Sequence, residues 1–312
     1  MRRLLFVKTS SLGDVVHNCP AVSDAARAAP GAAIDWVVEE AFSDVAAMHA
    51  GIHRVIPVAV RRWRAAPWSR RIWTEVGTFW RALRAERYDL VVDSQGLLKS
   101  ALLARAARGE RHGMDAASAR EPLAAHFYDV RHAVARGQHA VERNRQLTAA
   151  ALGGVPPAGC DYGLHAEGPP PLELRSPYVV LLTMTSRADK LWPEGNWIAL
   201  GRLLAARGAR AVLPWGSEEE RSRAGRLAGG IGEALVPRRM SVAEIARLLR
   251  GALGVAGVDT GLTHLAAALG VPAVGIYLGS EARLTGLHAG GRVRNLDAPD
   301  AAGVHAALGE LA

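Results

Sequence analysis

The chain has 312 residues, 49% hydrophobic and 22% charged, a globular balance that excludes a disordered or low-complexity protein and allows two ordinary domains. No apolar run approaches the ~18 residues that span a bilayer, and two cysteines, Cys19 and Cys160, exclude a disulfide framework. A net charge of +8 favours anionic partners over cationic ones, and nearly all the basic charge is arginine, the only lysines being Lys8, Lys99 and Lys190.

The N-terminal MRRLLFVK opens as a signal peptide does, but its apolar run stops at Lys8, short of the roughly 7–15 residues of an h-region; a cytosolic protein is expected. Strands are expected at 3–8 (RLLFVK), 33–38 (AIDWVV), 54–60 (RVIPVAV) and 89–94 (DLVVDS). Helical patterns cover 14–28, 40–49, 72–86 and 97–107. The alternation predicts βαβ units and a parallel sheet, and the continuous apolar runs LLFV and LVV suit strands buried on both faces. Residues 155–177 are rich in Pro and Gly and read as a linker.

Beyond it the pattern restarts. A strand is expected at 178–183, a helix at 197–208, a strand at 210–216 and a helix in EEERSRAGRLA. A second helix opens with the capping box S-V-A-E, a strand ends in GVDTG, and PAVGIY (272–277) is read as the final strand. LLFVKTSSLGD and VVLLTMTSRADK are both a strand running into a hydroxyl-rich turn. An α/β architecture follows: two doubly wound domains, 1–165 and 166–312, facing across a cleft, with ligands at the carboxyl ends of the strands.

Five stretches carry chemistry-bearing side chains. In KTSSLGDVVH (8–17) Gly13 permits a tight turn, and Asp14 either caps the next helix or serves as a general base. TMTSRADKLWP (183–193) offers Thr185, Ser186 and Lys190 to a diphosphate, or is a solvated loop. In GVDTGLTHLAAALGVP (257–272) Asp259 precedes a helix whose free N–H groups suit an anion, and His264 is either a ligand contact or a structural histidine. The glutamates of LPWGSEEE (213–220) either stabilise a helix N-terminus or accept sugar hydroxyls. VRRWRAAPWSRRIW (60–73) interleaves five arginines with three tryptophans, compatible with a basic solvated loop, nucleic acid, a membrane surface or acidic lipid sugars.

Taken in order, KTSSLGDVVHNCPA, WVVEEAF, RRWR, DSQGLLKSALLA, SAREPLA, QHAVER, LPWGSEEE and VDTGLTHLAAALGVP resemble the ADP-heptose:lipopolysaccharide heptosyltransferases, glycosyltransferase family 9, over nearly the whole chain. RRWR and SQGLLKSA are similar to the member that adds the first heptose to the Kdo–lipid A inner core. The resemblance implies a GT-B fold with two Rossmann-like domains, the acceptor in the first and the sugar nucleotide in the second. It implies inverting transfer from ADP-L-glycero-β-D-manno-heptose, with no cofactor and no metal. By the same resemblance Asp14 is the catalytic base; Thr185, Ser186, Lys190, Thr260, Gly261 and His264 hold the donor. Glu220 takes its ribose, Asp259 its heptose, and Met240 lies near its adenine. Ser10, Ser11, Gly13, Arg61, Arg62, Arg64, Arg120 and His139 face the acceptor. Kdo–lipid A and the cytoplasmic face of the inner membrane are the implied partners, with peripheral attachment and no nucleic acid. Two departures stand out: the loop YLGSEARLTG (277–286) lacks the family's proline, and Ala188 replaces a frequent acid. The alternatives are the member adding the second heptose and a non-catalytic sugar-nucleotide or glycolipid binder. A nicotinamide dehydrogenase is opposed by the missing G-x-G-x-x-G.

Overall fold

The apolar runs become strands whose every residue is buried, because helices cover both faces of a parallel sheet. In the computed structural model, which describes residues 1–65, 68–174, 176–185 and 187–311, the chain divides into two compact units, Met1–Leu164 and His165–Ala312. The first holds β1 (Arg3–Val7), β2 (Ala33–Glu39), β3 (Arg54–Val58), β4 (Leu90–Asp93), β5 (Arg111–Met114) and β6 (Val130–His132), all parallel, in the order β3-β2-β1-β4-β5-β6. Phe6 of β1 is aligned with Trp36 on one side and Val92 on the other. Leu5, Val7, Val37 and Val91 pack against Phe79 and Leu83 of a covering helix, Arg70–Arg84.

The second unit repeats this plan. It holds β7 (Tyr178–Leu182), β8 (Arg210–Val212), β9 (Ala234–Leu235), β10 (Gly254–Val258), β11 (Ala273–Tyr277) and β12 (Val293–Asp297), parallel, in the order β12-β11-β10-β7-β8-β9. Its core gathers Leu181, Val258, Ile276, Trp197 and Val304, with Trp192 edge-on to Trp197 at 4.8 Å. Each such side chain contributes about 1.5–3 kcal/mol when fully buried. Gly257 of β10 has no room for a side chain: a Cβ would lie 2.2 Å from Thr263 Oγ1, so glycine lets the next helix close onto the strand.

Several elements differ from the sequence reading. The expected helix 14–28 is two helices, Leu12–Val16 and Cys19–Ala28, the second with proline in its first turn. The strand expected through residue 60 stops at Val58, and Val60 opens a helix, Val60–Ala65; the Arg/Trp stretch is therefore largely helical, not a loop. PAVGIY is not the last strand, since β12 and a helix, Ala301–Leu311, follow it.

Candidate active site

In each sheet the chain runs outward on one side and then returns to the other. The two strands at that reversal are β1 and β4 in the first unit and β7 and β10 in the second. Loops leaving the carboxyl ends of such neighbours part company and open a crevice for ligand.

In the first unit the β1 and β4 loops are tied together by Gln95. Its Oε1 accepts from the Thr9 N–H at 2.7 Å and the Thr9 hydroxyl at 2.8 Å, and its amide donates to the Ser10 carbonyl at 2.8 Å. Gly96, at φ +66°, turns the chain so that its carbonyl accepts from the Glu121 N–H, which places Arg120 beside the loop. Asp93, buried beneath, accepts from the Tyr128 hydroxyl at 2.8 Å and the Gln95 N–H at 2.9 Å; burial nevertheless raises its pKa.

Asp14 is the third residue of the helix Leu12–Val16. Its Oδ2 accepts from the Ser11 N–H at 2.9 Å, the Ser11 hydroxyl at 3.3 Å and Arg120 Nη1 at 3.3 Å. Oδ2 thus caps the helix, and Oδ1 accepts no hydrogen bond among the described residues. Burial pushes the Asp14 carboxyl up, but the charges of Lys8 and Arg120 and the bonds to Ser11 and Arg120 outweigh it, and the pKa lies below the usual carboxylate value. Lys8 is itself buried at the end of β1, donating to the Ser94 carbonyl at 2.8 Å and Asn144 Oδ1 at 3.4 Å. Burial depresses its ammonium pKa against the pull of Asp14. Lys99 Nζ donates to Ser10 Oγ at 3.0 Å, and Arg143 and Arg136 bond the Ser118 and Ala119 carbonyls just before Arg120. The arrangement is one carboxylate in a cationic setting, suited to deprotonating a hydroxyl on an anionic molecule.

Ser10, Ser11, Gly13, Asp14 and Arg120 thus come together. His139 caps the helix Ala140–Ala151, its Nδ1 accepting from the Val141 N–H at 3.2 Å, and stands edge-on to His17 at 5.5 Å. Arg61, Arg62 and Arg64 lie on the helix Val60–Ala65. Arg61 stacks over Phe42, Arg62 is held by Glu40 at 2.9 Å and Glu75 at 2.6 Å, and Arg64 is exposed; no described contact joins them to Asp14.

In the second unit the organising group is Asp259, at the end of β10 and 10% exposed. Its Oδ2 accepts from Lys190 Nζ at 2.5 Å and Ser280 Oγ at 2.7 Å, its Oδ1 lies 3.2 Å from His264 Nε2, and its carbonyl accepts from the Thr185 hydroxyl at 3.0 Å. Burial raises its pKa, but the bonds from His264, Lys190 and Ser280 prevail and hold it well below the usual range. The helix Gly261–Ala268, with Thr260 at its N-cap position, starts immediately after. Glu220 Oε2 accepts from the Gly216 N–H at 2.6 Å while Ser217 Oγ accepts from the Glu220 N–H at 3.2 Å, a capping box; its Oε1 accepts nothing among the described residues. Met240 is buried, just before the Ser241 cap. Ser186 lies outside the described residues.

Sequence reasoning missed Lys8, Gln95, Lys99 and Ser280. Applying to 94–99 the rule already applied to 8–14, that the turn after a buried strand carries ligand contacts, would have reached Gln95 and Lys99. Ser280 falls in the atypical 277–286 loop, where a hydroxyl takes up Asp259 without the proline.

A lipopolysaccharide heptosyltransferase 1 of Salmonella typhimurium is 48% identical over 291 residues, 91% of this chain and 90% of that protein. The structure of E. coli heptosyltransferase WaaC with ADP superposes with a TM-score of 0.90 at 45% identity, covering 99% of this chain and 100% of that one. The same enzyme with ADP-2-deoxy-2-fluoro heptose gives 0.88 at 45% identity and the same coverage. The fold is thus GT-B, and the protein is a glycosyltransferase. With the model of glycosyltransferase family 9 (heptosyltransferase) matching residues 76–296, the chain belongs to that family.

Proposed function

We propose that the chain transfers L-glycero-D-manno-heptose, with inversion, from ADP-L-glycero-β-D-manno-heptose to the Kdo residue of Kdo–lipid A in lipopolysaccharide inner-core synthesis. The observation that carries this reading is the division of chemistry between the two switch points: a carboxylate among cations in the first unit, and a carboxylate–ammonium pair beside a helix N-terminus in the second. Asp14 Oδ1 takes the proton of the acceptor hydroxyl as its oxygen bonds the anomeric carbon. The bond from that carbon to the β-phosphate oxygen breaks, and the electron pair leaves with ADP. ADP needs no proton at neutral pH, so one carboxylate suffices and the remaining requirement is charge stabilisation.

Lys190, the hydroxyls of Thr185 and Ser186, and the N–H groups of the Thr260–Gly261 turn supply that stabilisation. A diphosphate competes with Asp259 for Lys190 and leaves Asp259 to accept heptose hydroxyls, its geometry kept by Ser280 and His264. Glu220 takes the ribose through Oε1, and Met240 borders the adenine. On the acceptor side, Ser10, Ser11, Gly13 and Arg120 contact the Kdo whose hydroxyl reacts. His139 and the Arg61, Arg62 and Arg64 row meet the more distant acidic groups. Because the acceptor is a lipid, the protein works peripherally at the cytoplasmic face of the inner membrane.

The test is heptose transfer to purified Kdo–lipid A by wild type and Asp14→Asn side by side. The variant is expected to bind ADP normally and lose about 10²–10⁴ in turnover, the usual worth of a positioned base. Equal turnover by both would remove Asp14 from the role. Wild type active only on heptosyl-Kdo–lipid A would move the enzyme to the second transfer.

A further inference from the structure

The helix Arg70–Arg84 has two faces with different jobs. Ile72, Phe79 and Leu83 are buried, the last two in the core with Leu5 and Val91. Positions 73, 77, 80 and 84 repeat at steps of four, three and four, which puts them on one stripe about 100° round from the buried one. That stripe carries Trp73, 65% exposed, Trp80, 38% exposed, and Arg84, and Trp68 just before the helix is 93% exposed. Trp80, Arg81, Arg84 and Arg108 line one surface depression of about 320 Å³. Among the described residues none of these three arginines has a carboxylate partner. The nearby acids are engaged elsewhere: Glu75 holds Arg62, Arg71 and the Trp63 indole, and Glu86 holds Arg3. Cations complementing the helix C-terminus account for Arg81 and Arg84. They do not account for Trp68 and Trp73 left in water beside a partly exposed Trp80.

We propose that this face docks on an anionic lipid bilayer, with Trp68, Trp73 and Trp80 at headgroup depth and Arg81, Arg84 and Arg108 on lipid phosphates. Indoles prefer the membrane–water boundary, and each arginine near an anionic surface strengthens partition roughly fivefold. Forked guanidinium bonds suit phosphate oxygens. The helix stays packed on its own core and lends only its outer stripe. The proposal deepens the reading of the acceptor as a lipid, and it separates this stripe from Arg61, Arg62 and Arg64 on the preceding helix.

Flotation of the full chain with phosphatidylcholine vesicles, with and without phosphatidylglycerol, tests it in the absence of donor and acceptor, so that it stands or falls apart from the transfer reaction. Wild type is expected to float only with anionic vesicles, with a blue shift of tryptophan emission. Trp73→Ser/Trp80→Ser and Arg81→Glu/Arg84→Glu should each weaken partition at least tenfold, the second pair serving as a check because it changes only exposed side chains. Both should stay folded, each with a slightly lowered melting temperature, the first because Trp80 packs on Phe79 and the second because charge is reversed at the helix C-terminus; both should keep wild-type transfer to detergent-dispersed acceptor, while slowing on acceptor in vesicles. Equal flotation of wild type and variants, or no preference for anionic vesicles, would overturn the proposal. So would a concentration-dependent dimer abolished by the tryptophan variant with flotation retained, since the stripe would then be a subunit contact.

Discussion

At the scale of single residues, the ionisation of Asp14 is set by its neighbours more than by its solvent. Arg120 acts on it both as a charge and as a hydrogen-bond donor, and both lower its pKa. Arg120→Ala should therefore move the acid limb of kcat/KM towards higher pH. The sign for stability follows from the same depression. Asp14 stabilises the fold above its unfolded value and loses that contribution as pH falls through its lower folded value, so Arg120→Ala should cost stability near neutral pH and nothing in strong acid. Because Arg120 is half exposed, the cost stays below about 1 kcal/mol. An acid limb that does not move would separate the ionisation of Asp14 from the rate, and with it the proposed base role. Asp259 presents the buried counterpart. Asp259→Asn leaves Lys190 facing a neutral amide, and the expected loss is about 2–4 kcal/mol, at and below the low end of the ~3–5 kcal/mol for a broken buried pair because Lys190 keeps some solvent. Thermal unfolding reads this, and a change within about 0.5 kcal/mol, the scatter of an ordinary surface substitution, would show the pair to be solvent-levelled.

At the scale of elements, what was legible in the sequence depended on burial. β1, β4, β7 and β10 lie inside their sheets, are covered on both faces and read as unbroken apolar runs. β6, β9 and β12 sit at sheet edges and are partly exposed; VRH and AL are too short to show a period, and VRNLD is neither alternating nor apolar. The turn chemistry was more readable: the Ser241–Glu244 capping box formed as its spacing requires. If Glu220 takes the ribose as proposed, one side chain serves the Ser217–Glu220 box both as cap and as ligand contact. Glu220→Ala should lower stability by about 1 kcal/mol through the lost cap and also weaken ADP binding. Glu220→Gln, which can still cap, should recover the stability but not the full ADP affinity. Complete recovery of both in calorimetry would assign Glu220 to the cap alone. The Gln95 staple makes a similar element-scale prediction. Gln95→Leu removes four buried hydrogen bonds between the β1 and β4 loops and should cost about 2–3 kcal/mol while lowering kcat more than it raises KM, because Asp14 lies on the short helix that directly follows the β1 loop. Loss of stability with an unchanged kcat would show that the staple does not position Asp14.

At the scale of the whole molecule, the repeated strand order in the two units explains why two similar strand-and-turn segments announced them in the sequence. Each unit has a complete core, and each places its polar side chains at its own reversal of strand order. The sequence showed both crevices through Asp14 and Asp259, but not Lys8 or Gln95, whose roles depend on which strands become neighbours. If ADP is held by the second unit, its binding should protect that unit first. At a free concentration about 100 times its Kd, ADP stabilises the form that binds it by about 2.7 kcal/mol. In hydrogen exchange read by mass spectrometry, amides of β10 and the helix Gly261–Ala268 should then slow by up to about 100-fold where exchange requires unfolding of that unit. The Lys8–Asp14 turn and residues 94–97 should keep their rates with ADP alone, since the two units have separate cores and ADP is taken to bind the other one. Protection that appears in the first unit and spares the second would reverse the assignment of donor and acceptor, and with it the roles of Lys190 and Arg120.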